Sequence, residues 1–165
     1  MSETDKLFQS QSFAGSLSLR EVLDDITAYI GEKPAHEYQI IIGSDSAAQI
    51  ERPVSIVTAL TVRRVGNGGR YYYMRGAPRP FHHTRDRIYA ETMSSITLAQ
   101  ELRTRLREML GEEVFWCDLI HIDVGRDGLS RNFVDEVVGM VKGFDFQAVI
   151  KPDSFAASSV ADRHT

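Results

Sequence analysis

The stretch Tyr38-Gln39-Ile40-Ile41-Ile42-Gly43-Ser44-Asp45-Ser46 constrains this chain more than any other. An apolar run that leads straight into Gly-Ser-Asp-Ser predicts a buried strand that ends by delivering a carboxylate. Leu119-Ile120-His121-Ile122-Asp123-Val124-Gly125 repeats the arrangement. If the two strands lie side by side and parallel, Asp45 and Asp123 meet at one edge of the sheet. Two carboxylates forced together need a cation or a proton between them, because each disfavours ionisation of the other. That need is the root of the functional expectation.

The remaining elements follow from periodicity. Residues 1–16 are polar and predict a flexible tail or arm, leaving 17–165 as a single domain with an extra N-terminal helix. Ser18 and Glu21 have capping-box spacing. Leu19, Val22, Leu23, Ile26, Tyr29 and Ile30 then recur at helical intervals until Gly31 and Pro34. A first strand is predicted at about 38–44. Val54–Arg64 is rich in β-branched residues and predicts a second strand, turning at 65–69 into a hairpin partner at 70–76. After Pro78 and Pro80 a long helix spans about 84–110, with Met93, Ile96, Ala99, Leu102, Leu106 and Met109 or Leu110 as its apolar stripe. Glu91 opens a neighbouring line through Ser95, Leu98 and Leu102, and Ser94 and Ser95 are small enough for close approach to a sheet. A fourth strand at 115–123, a helix at 130–142, a fifth strand at 146–151 and a short helix at 155–163 complete the chain. An antiparallel meander followed by helical crossovers gives an α/β fold: a mixed five-stranded sheet, meander plus parallel strands, flanked by helices.

With 165 residues, 42% hydrophobic and 25% charged, the chain has the composition of an ordinary globular domain. It has no apolar run long enough for a membrane helix, so no membrane partner is expected. The single cysteine, Cys117, falls in a predicted buried strand and forms no internal disulfide, which points to a reducing, cytoplasmic setting. A net charge of −4 excludes non-specific coating of nucleic acid. The charge is uneven, however. Arg63, Arg64, Arg70, Arg75, Arg79, Arg85 and Arg87 fall within 25 residues that contain one acid, Asp86, and Tyr71, Tyr72, Tyr73, Phe81, His82 and His83 lie among them. Such a stretch is either a hairpin with a solvated arginine face or a surface for phosphates and stacked bases.

This order of elements, with acids at Asp45, Glu91, Asp123 and Asp162, resembles the ribonuclease H-like fold. The sequences GSDS, HIDVG and KPDSFAASSVAD are more narrowly similar to the YkuK family of that superfamily. The resemblance implies a metal-dependent nuclease that hydrolyses phosphodiesters of RNA, DNA or a hybrid with two Mg²⁺ or Mn²⁺ ions. It implies Asp45 bridging both ions, Asp123 and Glu91 completing one site and Asp162 the other. Oxygen donors suit such hard cations.

Auxiliary residues are weighed beside these four. Ser46 either orients a ligand or makes a turn. His121 shares a strand face with Asp123 and reads as a satisfied core histidine ahead of a proton relay. Asp153 competes with Asp162 but reads first as a helix N-cap. His164 follows Asp162 near the chain end and assists product release or does nothing. Lys151 ends the fifth strand and is as plausible a phosphate contact as a surface lysine. Arg75, Arg79, His83 and Arg85 are the remaining nucleic-acid candidates. A non-catalytic nucleic-acid- or protein-binding module is the main rival, and an actin- or sugar-kinase-like nucleotide domain a weaker one. The tail and the hairpin edge are places where a homodimer would form.

Overall fold

The structure, a computed structural model, describes residues 6–49, 52–128 and 131–165; the side chains of Ala157, Ser158 and Asp162 lie outside the description. Its centre is the strand β3 (Tyr38–Asp45), apolar on both faces and buried along nearly all its length. β4 (Val57–Arg64) pairs antiparallel on one side of it and β6 (Trp116–His121) parallel on the other. The hairpin partner β5 (Gly69–Arg75) extends the meander, and β7 (Gln147–Val149) pairs parallel with β6. The expected meander and parallel neighbours are therefore present in a mixed sheet flanked by helices.

The sheet has seven strands rather than five, because one more forms inside the segment expected to be a tail and another directly after it. β1 (Leu7–Gln9) pairs with β5 and with β2 (Leu17–Ser18), giving the order β2-β1-β5-β4-β3-β6-β7. Phe8, fully buried in the main core, pins this edge. Pairing also shortens the long second strand. Val54 makes only an isolated bridge to Arg79, and the continuous ladder starts at Val57.

The two sheet faces are covered differently. Helices α1 (Leu19–Glu32), α2 (Thr84–Leu110) and α3 (Val134–Gly143) bury one face, packing Ile26, Ile96, Leu102 and Val137 against Ile40, Ile42, Leu60 and Ile120. The predicted capping box of α1 is formed, with Ser18 accepting from the Glu21 backbone N–H and the Glu21 side chain accepting in return from Ser18. α2 stops at Gly111, whose φ of 77° suits glycine. Met93 and Met109 are exposed, contrary to the expected stripe, while Thr92 and Ser95 are buried. Ser95 meets the Ser44 hydroxyl on the sheet, and Thr92 returns its own hydroxyl to the Ile88 carbonyl of the helix. The C-terminal π-helix (Ala156–Ala161) and the 3₁₀ turn Asp162–His164 lie on the opposite face, where Ala161 packs on Val57 and Ala59. Cys117 is half-buried rather than buried. No described helix is long and apolar enough to cross a membrane.

Candidate metal and nucleic-acid cleft

The β3–β6 register carries the site. Gly43 pairs with His121, so the same register extended by two residues sets Asp45 beside Asp123, at the C-terminal ends of two parallel strands. The second ladder persists beyond β6: the Ile122 N–H donates to Val149 O at 2.9 Å and the Lys151 N–H to Val124 O at 2.8 Å. Asp123 is thereby held between β3 and the chain leaving β7.

α2 brings the third acid. Ser95 is drawn onto the sheet by hydroxyl contacts, Ser44 Oγ to Ser95 Oγ at 2.7 Å and to Thr58 Oγ1 at 2.9 Å. One turn earlier Glu91 meets the end of β3, where Ser46 Oγ donates to its Oε1 at 2.6 Å. Arg87, four residues before Glu91, donates from Nη1 to that same oxygen and to the Ser46 carbonyl, both at 3.2 Å. Glu91 is 6% exposed and Asp45 7%. Burial pushes the Glu91 carboxyl up to about 7; Ser46 and Arg87 pull against this, while the charges of Asp45 and Asp123 add to it. Asp45 and Asp123 both bear on Glu91, which makes them its electrostatic neighbours.

A cavity of about 440 Å³ opens beside them. His83, Thr84, Arg87 and Glu91 from the start of α2 form one wall, and Asp123 and Lys151 the other; Phe81 and Ile88 add apolar surface, with Asp127 and Gly128 also lining it. Lys151 Nζ lies 3.2 Å from Asp123 Oδ1, yet that buried oxygen accepts no hydrogen bond from the described residues.

The other expected residues divide. His83 and Lys151 line the cleft. Arg79 stacks its guanidinium 4.9 Å from the Phe81 ring centroid. Arg85 is engaged with Glu136 at 2.8 Å, and Arg75 donates to the backbone carbonyl of His164. His164 itself stacks on Tyr73, with ring centroids 3.7 Å apart. His121 is the satisfied core histidine: buried, edge-on to Phe155, accepting at Nδ1 from the Ala156 N–H at 3.2 Å. Burial lowers its pKa to about 4, against an opposing pull from Asp153, so it is a neutral Nε2–H tautomer at pH 7. Asp153 is exposed in the turn after Pro152, its carbonyl accepting from the Phe155 N–H. The Asp162 backbone lies in the terminal 3₁₀ turn, and its side chain is outside the described residues.

Two residues that position the acids escape a reading by motif. Arg87 was one arginine among seven, although its i,i+4 spacing to Glu91 is a usable signal. Ser95 was noted for size and not for its hydroxyl. Among the described residues no three His, Cys, Asp or Glu side chains are gathered tightly enough to grip a metal. The donor set nevertheless fits a hard divalent ion: three carboxylates from three elements, one of them with a buried oxygen that accepts no hydrogen bond.

The chain matches the family described as Ribonuclease H-like over residues 21–165. It is 30% identical over 169 aligned residues to the uncharacterized protein YkuK of Bacillus subtilis (strain 168), with 96% of each chain covered. No solved structure matches it significantly. With the family match covering β3 to β7, the long helix and the acids at their junction, and the relative aligned over 96% of the chain, this chain belongs to the ribonuclease H-like family.

Proposed function

We propose that this protein is a divalent-metal-dependent nuclease that hydrolyses phosphodiester bonds in the cleft between α2 and the ends of β3 and β6. Membership of the ribonuclease H-like family suggests a nucleic-acid-related function. The observation that carries the finer reading is the raised carboxyl of Glu91, buried beside Asp45 and Asp123. Like charges brought together at a sheet edge weaken a fold, and a divalent cation relieves that cost. Asp45, Glu91 and Asp123 would hold Mg²⁺ or Mn²⁺, with Asp162 as a fourth donor. The ions would supply a water activated for attack and charge stabilisation for the leaving oxygen.

The remaining steps belong to the chain. Ser46 and Arg87 fix the Glu91 carboxylate, both on Oε1. Lys151 and His83 line the cavity beside the acids and meet the phosphate backbone there, while Phe81 and Ile88 give an apolar surface for a base or sugar. Arg75, Arg79 and Arg85 would serve an extended strand only by leaving their present partners.

The test is cleavage of labelled single-stranded RNA, single-stranded DNA, duplex and hybrid in millimolar Mn²⁺ or Mg²⁺, with Asp45→Asn as the control. Metal-dependent products that vanish in the variant are expected. Binding without cleavage on every substrate would overturn the nuclease and leave a nucleic-acid-binding module.

A further inference from the structure

Two cations reach into the cleft, and they are held in different ways. Arg87 is 18% exposed in its side chain and tied to two acceptors, Glu91 and the Ser46 carbonyl. The Lys151 side chain is 48% exposed and, among the described residues, its ammonium is paired with Asp123 Oδ1, at 3.2 Å and out of line for a hydrogen bond. The rest of Lys151 is fixed. Its N–H is bonded to Val124 O, and its stem crosses Gly125, where a Cβ would stand 3.3 Å from Lys151 Cβ and 3.7 Å from Cδ. A placed stem with a loosely held head makes a cation that is delivered to the site and free to leave it.

Asp123 Oδ1 is a poor match for that head. A buried carboxylate oxygen without a hydrogen bond is costly, and one ammonium charge at 3.2 Å compensates it less than two charges at the ~2.1 Å of a bound Mg²⁺. We infer that Lys151 is the resident counter-ion of Asp123: its ammonium holds the metal's place on that carboxylate, yields it when a divalent ion loads, and then takes the phosphate entering the same cavity. The inference rests on the metal-dependent reading of the cleft and adds an exchange to it. Arg87 does not exchange, because its release would break two bonds at once, one to Glu91 and one to the Ser46 carbonyl.

The experiment is calorimetric titration of Mn²⁺ into metal-free wild type, Lys151→Gln, Lys151→Arg and Lys142→Gln. The last removes an equal charge from an exposed position at the end of α3. Each Mn²⁺-loaded protein is then titrated with thymidine 5′-monophosphate, which has no phosphodiester to cut. Lys151→Gln is expected to bind Mn²⁺ about three- to tenfold more tightly than Lys142→Gln and the nucleotide weaker by a similar factor. Lys151→Arg should return both toward wild type. Opposite shifts are the signature, since a merely structural lysine would move both affinities the same way or neither. If wild type takes up Mn²⁺ and Lys151→Gln gains nothing over Lys142→Gln, or its nucleotide affinity is unchanged, the inference fails and the metal reading stands. Absence of Mn²⁺ uptake in all four proteins overturns both.

Discussion

The two ends of β3 both bury charge, and they do so with opposite logic. At the Tyr38 end, Arg64 is 4% exposed and every contact favours it. It donates to Tyr38 Oη at 2.9 Å, to the Tyr29 carbonyl at 2.6 Å and to Glu32 at 3.3 Å, with its guanidinium 4.0 Å above the Tyr29 ring. At the Asp45 end, three acids of one sign converge, and the most buried one rises toward neutrality. A buried charge whose partners agree is holding the fold together. A buried charge whose neighbours repel it is evidence of a ligand that the fold is arranged to accept. The comparison also sorts the arginine-rich stretch: Arg64 and Arg70 are absorbed by α1, Arg87 serves the cleft, and proximity in sequence does not separate them.

The contrast is broken most severely by Asp45→Asn. On the proposed nuclease reading, loss of this carboxylate should lower turnover about a thousandfold or more, a cost of several kcal/mol at the transition state. The same change removes one of three crowded charges, so the urea midpoint of the metal-free variant should match or exceed wild type. A variant that cuts as fast as wild type would put the site elsewhere. Arg64→Met should do the reverse. It takes the side-chain donor from the buried Tyr29 carbonyl and one bond from the Tyr38 hydroxyl, which keeps the Lys33 carbonyl, and should cost about 2–4 kcal/mol in denaturant unfolding, while folded protein keeps its Mn²⁺ affinity. Equal losses of metal binding and stability in that variant would show the two ends of the strand to be coupled.

How much of this was legible in the sequence follows the range of the interactions. Asp45, Asp123 and Glu91 were readable because strand ends and a helix of 27 residues are strongly periodic and one parallel register relates them. β1 was not, since three residues with a single buried side chain, Phe8, give no period to detect. The partner of a long cation is set by what folds against it. Nothing local says that Arg75 meets the carbonyl of His164, 89 residues away, or that Lys151 leans on Asp123. The polar face of α2 is hidden for the same reason: the Ser95 hydroxyl is buried against Ser44, which bonds Thr58 in turn, while the more apolar Met93 is left outside.

A pH series sharpens the comparison within the cleft. Glu91 titrates near 7 when folded and near 4.5 when unfolded, so between those values the folded protein keeps a proton that the unfolded chain has released. Stability contributed by this group therefore falls as pH rises. His121 works the other way: folded near 4 and unfolded near 6.5, it makes stability rise with pH across that interval. The two slopes oppose one another from about pH 4.5 to 6.5. In metal-free Glu91→Gln only the rising limb remains, so its advantage over wild type should be near zero at pH 4.5 and grow to as much as about 3 kcal/mol above pH 7. Urea midpoints at pH 4.5, 6 and 8 measure it. A gap that does not widen with pH would mean that Glu91 is ionised throughout and the three acids are not in conflict.

The smallest effect separates two neighbouring serines on β3's final turn of chain. Ser44 exchanges hydroxyl bonds with Thr58 and Ser95, none of them charged, whereas Ser46 bonds a carboxylate. Ser95→Ala removes one neutral bond and leaves Ser44 satisfied by Thr58, so it should cost about 0.5–1 kcal/mol and leave Mn²⁺ affinity at pH 7 unchanged. Ser46→Ala removes a bond that holds the Glu91 carboxyl down, so the proton is retained to higher pH and competes with the metal. Mn²⁺ affinity at pH 7 should then fall a few-fold and recover by pH 8.5, where Glu91 is ionised in either protein. Recovery with pH is the discriminating result, because a distorted cleft would bind metal poorly at every pH. Two hydroxyls two residues apart would thus report on opposite parts of the molecule, one on the packing of α2 and the other on the charge that the cleft is built to neutralise.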